Sequence, residues 1–298
     1  MRASILALIL TSASALAEVP SVATDLPVVH SLVAQVMGEL GEPVLLMDAG
    51  ADAHDYQLRP SQARAVTEAG LVFWVGAEMT PWLDRAIGRG IGGKAVSLLE
   101  APGTSLRTFE GEHQDDGEAD AEHDHAGGAD PHAWLDPDNG RVWLDLIAEE
   151  LAALDPDNAG QYLSNAAAGK AAVDVAERNA AELLSAAKGK PIVVSHDAYG
   201  YFADHFGVTI AGSLAGGDAT DPGAAHLREI EETLATAICI FPETQSDAER
   251  IAGLTLPATV RTGGILDPEG RGLETGPALY PALVESLAPR DQKLMQQR

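Results

Sequence analysis

Four residues of this chain have the types and the placement to hold a divalent metal: His54, His132, His196 and Asp267. Three neutral imidazoles and one carboxylate make a tetrahedral donor set, with Zn–N of about 2.0–2.1 Å and Zn–O of about 2.0–2.2 Å. Imidazole suits zinc, whereas manganese and magnesium prefer more oxygen. Successive members stand more than sixty residues apart, and the chain has no His-Glu-x-x-His helix. Only the fold can bring them together. Each has an ordinary alternative taken alone: His54 as a solvated loop histidine, and Asp267, before Pro268 and Gly270, as a turn residue.

Their common position carries the argument. Short apolar runs predict strands over 21–24, 43–49, 71–76 and 94–99 in the first half, and over 191–195, 209–214, 237–241 and 259–263 in the second. Helical patterns alternate with them, as in an α/β fold with mostly parallel sheets flanked by helices. Val28, Val29, Leu32, Val33, Val36 and Met37 form one such apolar face. His54 and His132 follow the second and fourth predicted strands, His196 follows the fifth, and Asp267 follows the eighth. Ligands of parallel α/β sheets bind beyond the carboxyl ends of strands. All four candidates fall there, two from each half, so a shared site belongs in a cleft between two lobes.

The stretch 157–188 is rich in Ala and has no Pro, which predicts one helix of about 45 Å at about 1.5 Å per residue. Gly189-Lys190-Pro191 stops it. The expected organisation is an N-terminal lobe over 18–156, a rigid linker helix over 157–189 and a C-terminal lobe over 190–298. Such a helix restricts hinge motion. A closing helix is expected over 276–288.

Residues 1–17 read as a secretory signal, with Arg2, an apolar run over 5–10 and Ala15-Leu16-Ala17 as the cleavage site. The run is shorter than the roughly 20 residues a spanning helix needs. These features predict a protein that is soluble outside the cytoplasm, and no Cys follows the signal to carry a lipid anchor. Cys239, the sole cysteine, sits in an apolar run and is expected in the core, which leaves no intramolecular disulfide. A net charge of −26 argues against nucleic acid or an anionic membrane as partner.

The segment 110–129 consists of Glu, Asp, His, Gly, Ala and one Gln, lacks apolar periodicity and is expected to be disordered without metal. Its His113, His123 and His125 are candidate weak secondary zinc ligands that would raise the local zinc concentration. Other histidines read as structural: His30 at the border of its helix's apolar stripe, His205 at a helix C-terminus favoured by the dipole, and His226 at the surface. Asp197 fits either a helix N-cap or a carboxylate supporting a ligand imidazole. Three readings of the metal set stand at this point. They are metal capture, a zinc hydrolase whose fourth position holds activated water, and a secreted adhesion or storage protein. No general base or oxyanion donor set accompanies the histidines, and neither repeats nor a surface anchor is present.

Four motifs surround the candidates: Ala-His-Asp-Tyr-Gln-Leu-Arg-Pro-Ser (53–61), Asp-Pro-His-Ala-Trp-Leu-Asp-Pro (130–137), Ser-His-Asp-Ala-Tyr-Gly-Tyr-Phe (195–202) and Leu-Asp-Pro-Glu-Gly (266–270). Through them the chain resembles the metal-binding solute-binding proteins of ABC importers, in the cluster that carries zinc and manganese. The likeness spans nearly the whole chain after the signal. It implies two α/β lobes joined by a backbone helix, with His54, His132, His196 and Asp267 as ligands. It also implies Zn²⁺ as transported ligand rather than catalytic cofactor, and a monomer that delivers it to a membrane ABC permease. A periplasmic zinc chaperone is a further conceivable partner. Manganese-carrying relatives usually place a carboxylate where this chain has His196, which resembles the zinc subgroup; a manganese or iron importer component is the nearest alternative. Two departures stand out. Many relatives have Pro where this chain has Ala53, which predicts a looser His54. Several zinc-binding relatives carry a disulfide in the second lobe, and its loss predicts slower amide exchange in the first lobe than in the second.

Overall fold

A computed structural model describes residues 19–54, 56–108, 128–215 and 224–288. The first half holds β1 (Val22–Thr24), α1 (Pro27–Met37), β2 (Val44–Leu45), α2 (Pro60–Glu68), β3 (Leu71–Trp74), α3 (Pro81–Ile87), β4 (Lys94–Ser97) and α4 (Pro137–Leu154). After the long α5 (Ala159–Leu184) come β5 (Pro191–His196), α6 (Gly200–Phe206), β6 (Thr209–Ala215), α7 (Ala224–Leu234), β7 (Cys239–Ile240), α8 (Gln245–Ala252), β8 (Arg261–Thr262) and α9 (Leu279–Ser286). Among the described residues all strand pairs are parallel, in two four-stranded sheets ordered β2-β1-β3-β4 and β6-β5-β7-β8. Every strand expected from the apolar runs is present. Several are shorter, because pairing ends where the neighbour leaves. After Leu45 the amide of Leu46 still reaches the Thr24 carbonyl (2.8 Å), and the chain then turns away through Gly50 at φ +74°.

The Ala-rich stretch forms α5, with single turns of 3-10 helix at Pro156–Asn158 and Ser185–Ala187 at its ends. Its 26 residues span about 39 Å. Tyr162, Ala166, Gly169, Val173, Ala176, Ala180 and Leu184 are its buried positions, three or four apart, so one stripe faces inward. That stripe lies against α1, α4 and α9. Gly169 marks the tightest crossing: a Cβ there would come within 2.9 Å of Gln35 and 3.2 Å of Leu144. The C-terminal helix α9 returns across the molecule to α1 and α5. There Tyr280 donates its main-chain N–H to Ser31 Oγ (2.9 Å) and its hydroxyl to the Trp134 carbonyl (2.8 Å).

The hydrophobic core follows this connectivity. One continuous cluster runs from Val22, Leu32 and Phe73 through Trp134, Trp143 and Tyr162 into Val194, Phe202, Phe241 and Leu283 of the second half. A separate, smaller cluster fills the outer side of the second sheet, from Val193 and Leu214 to Ile230, Ile240 and Val260. Alternation along β5 divides the two, Val193 facing one and Val194 the other. Cys239 is buried in β7, as its apolar surroundings imply. Among the described residues no helix is long and apolar enough to cross a membrane.

Candidate metal centre

His196 is the last residue of β5, and its half-buried ring lies where the strand ends. Its Nδ1 sits 2.8 Å from Oε1 and 2.7 Å from Oε2 of Glu243, three residues past β7. His132 is buried in the turn before α4, and its Nδ1 lies 2.8 Å from Asp130 Oδ1. The same oxygen accepts the His132 main-chain N–H at 3.0 Å. In both rings an Nδ1–H donated to a carboxylate leaves Nε2 as the nitrogen with a lone pair for a cation. This is how metal-binding imidazoles are ordinarily oriented and made more basic.

His54 lies in the loop after β2, with its amide on Asp52 Oδ1 (2.9 Å). The preceding Ala53 is fully buried and its carbonyl accepts the indole N–H of Trp82 at 2.7 Å. The looseness expected from lacking a proline here is thus met by a hydrogen bond from α3. The three rings form a chain, with centroids 6.2 Å apart for His54 and His132 and 5.5 Å apart for His132 and His196.

Asp267 follows β8 in a loop held by its own carboxylate, which accepts the amides of Arg271 (3.0 Å) and Gly272 (2.7 Å). The loop is tied to the His132 turn, because buried Trp134 donates to the Pro268 carbonyl at 2.7 Å. Its charge is also felt at Tyr199, whose ring centroid is 6.1 Å from that of His196. Burial first, then Glu243 and Asp267, hold the Tyr199 hydroxyl well above its ordinary pKa.

Contacts between the halves set these segments against each other. Tyr201 of α6 accepts the Arg107 amide (2.8 Å) and donates to the Asp130 carbonyl (2.9 Å). Arg107 also ion-pairs with Asp204. Asn139 holds the Ser105 segment to the same turn, accepting the Ser105 amide (2.8 Å) and donating to the carbonyls of Ser105 (3.0 Å) and Ala133 (3.0 Å). An isolated bridge between Thr108 and Ala129 then joins the two ends of the acidic segment. His113, His123 and His125 lie outside the described residues, as does the stretch 1–17.

Among the described residues Asp197 makes no hydrogen bond to a candidate ligand ring, and Tyr199, not Asp197, stands at the N-cap of α6. Burial and the neighbouring Asp130 raise its pKa, against the pull of His132, His196 and Arg107. The supporting carboxylates are Asp130 and Glu243. Sequence reading missed both in that role, although Glu243 stands just past a strand end, where the other site residues were found. His30 is structural, its Nε2 3.1 Å from the Pro43 carbonyl and its pKa lowered by burial. His226 is half-buried, with Nε2 2.9 Å from the Ser213 carbonyl. His205 does more than complement a helix dipole. It lies between Asp136 and Glu177, and it shares with Asp136 and Asp138 a set of donor atoms all within 4.8 Å of one another.

Two parallel-sheet lobes with oriented imidazoles between them define a solute-binding protein of the transport type. Residues 22–288 match the family model of ZnuA, the periplasmic zinc-uptake complex component A, and the chain belongs to that family. It is 44% identical to the high-affinity zinc uptake system protein ZnuA of Paracoccus denitrificans, over 91% of this chain and 90% of that one. Identity to the protein of the same description from Brucella abortus is 35%, over 87% and 86%. Among solved structures, a ZnuA crystal structure superimposes with TM-score 0.71 at 23% identity, covering 90% of this chain and 98% of that one. The solute-binding protein FpvC of Pseudomonas aeruginosa, in complex with Mn²⁺, gives 0.73 at 18% identity, covering 93% and 99%.

Proposed function

We propose that this protein captures Zn²⁺ in the periplasm and delivers it to the membrane permease of an ABC-type zinc importer. His54, His132 and His196 supply nitrogen and Asp267 supplies oxygen. The carrying observation is the pair of imidazoles, one from each half of the chain, held on Nδ1 by Asp130 and Glu243 with ring centroids 5.5 Å apart. A carboxylate closing the fourth position favours holding the ion over activating water, so the protein is a carrier and not an enzyme. The lobes of this reading are 18–156 and 190–298, joined by the helix region 157–189. Residues 1–17 direct export, and the carrier acts as a soluble monomer.

Calorimetric competition between zinc and manganese tests the reading. Tight zinc binding that manganese does not displace is expected, and the affinity should weaken at acid pH as ligand histidines gain protons. Replacing His196→Ala should lower zinc affinity at least about a hundredfold. An unchanged affinity removes His196 from the site, and tighter manganese than zinc binding refutes the zinc assignment.

A further inference from the structure

We propose that His205, Asp136 and Asp138 form a second, weaker site for a zinc-like divalent cation at the junction of α4 and α6. The three residues come from different lobes: Asp136 and Asp138 open α4, and His205 stands in the last turn of α6. Their donor atoms lie within 4.8 Å of one another. His205 Nδ1 is 2.9 Å from Asp136 Oδ1 and 3.9 Å from Asp138 Oδ2. Its other nitrogen, Nε2, is 3.0 Å from Glu177 Oε1 on α5.

This repeats the plan of the main centre. An outside carboxylate fixes one ring nitrogen, and the other nitrogen faces the remaining donors, as Asp130 does for His132 and Glu243 for His196. With Nε2–H donated to Glu177, Nδ1 gives up its proton to solvent and takes the cation in its place. Two carboxylates then balance the divalent charge. Imidazole among the donors favours zinc over magnesium or calcium, and the exposed Asp138 leaves room for water to complete the coordination. Two features make the site weaker than the main one. Arg141 ion-pairs with Asp138, Asp174 and Glu177 and so competes with a cation for the Asp138 carboxylate. The N-terminus of α4 also disfavours positive charge.

The test uses the full chain already carrying one zinc equivalent, titrated with further zinc by calorimetry in buffers of different ionisation heat. One additional equivalent with proton release is expected. His205→Gln should remove it, and Asp138→Asn should weaken it about tenfold. Both variants should keep the tight equivalent. Asp138→Asn spares the Asp136 cap, so it decides the matter where His205→Gln fails to fold. Zinc-edge anomalous scattering from zinc-soaked crystals should place a peak about 2.1 Å from His205 Nδ1. Weak equivalents that persist unchanged in both variants belong to the other histidines, and that result overturns the proposal.

Discussion

The two sheets share one strand order and put different chemistry at the same place. In each, the connections leave in opposite directions on either side of a strand pair, β1/β3 in the first and β5/β7 in the second. A crevice opens at the carboxyl ends there. In the first sheet Asp25 fills it. This fully buried carboxylate accepts the amides of Leu26 (2.7 Å) and Val75 (2.8 Å) and the hydroxyl of Thr80 (3.2 Å). In the second sheet the crevice carries His196 and Glu243. One carboxylate is satisfied mainly by main chain and ties strand ends together; the other faces an imidazole and orients the ring of a candidate ligand. Topology makes room for a polar group, and its partners decide whether it serves as glue or as part of the centre.

Removing each carboxylate is the direct way to break this comparison. Asp25→Ala leaves the two buried amides of Leu26 and Val75 without their acceptor and should cost about 3 kcal/mol or more of stability in urea titration. The folded fraction should bind zinc as before. Glu243→Gln should behave in the opposite way. Its unfolding midpoint should move little, while zinc affinity falls about 10–100-fold because the His196 ring loses its orienting charge. If Asp25→Ala abolished zinc binding without loss of stability, the first crevice would belong to the metal centre. If Glu243→Gln unfolded the protein with zinc affinity intact, the second would be glue as well.

The fold was legible because the central strands β1, β3 and β7, buried along their length, read as nearly continuous apolar runs, and because Ala in excess with no Pro marks α5. The ligand candidates were legible because a strand-end rule selects few positions. What escaped was the set of partners that only packing reveals. Asp197 drew notice by standing beside His196, but consecutive residues leaving a strand point opposite ways, and the ring instead meets Glu243 from the loop after the neighbouring strand. His205 read as a helix-end residue because nothing along the chain shows that α6 ends against the start of α4 and the middle of α5. Asp25 gives no signal beyond being an acid after a short apolar run.

The smallest expected effect reads the first of these carboxylates, Asp25, by its response to acid. Burial raises the Asp25 pKa from 3.8 to about 6, against the lowering pull of its hydrogen bonds to Val75, Leu26 and Thr80. The folded protein therefore holds this proton more firmly than the unfolded chain does. The stability that follows is present in full below about pH 4 and is lost as pH rises through about 6. The advantage of the native chain over Asp25→Ala should accordingly be larger at about pH 5 than at about pH 7.5, by about 1 kcal/mol. Urea titrations of both proteins without zinc read this difference directly. Zinc binding should change in the opposite sense across the same interval, strengthening as pH rises, because its ligands must shed protons. A stability advantage that instead grew toward neutral pH would mean that Asp25 is held as a stabilised anion, and its crevice would then resemble the charged one in the second sheet.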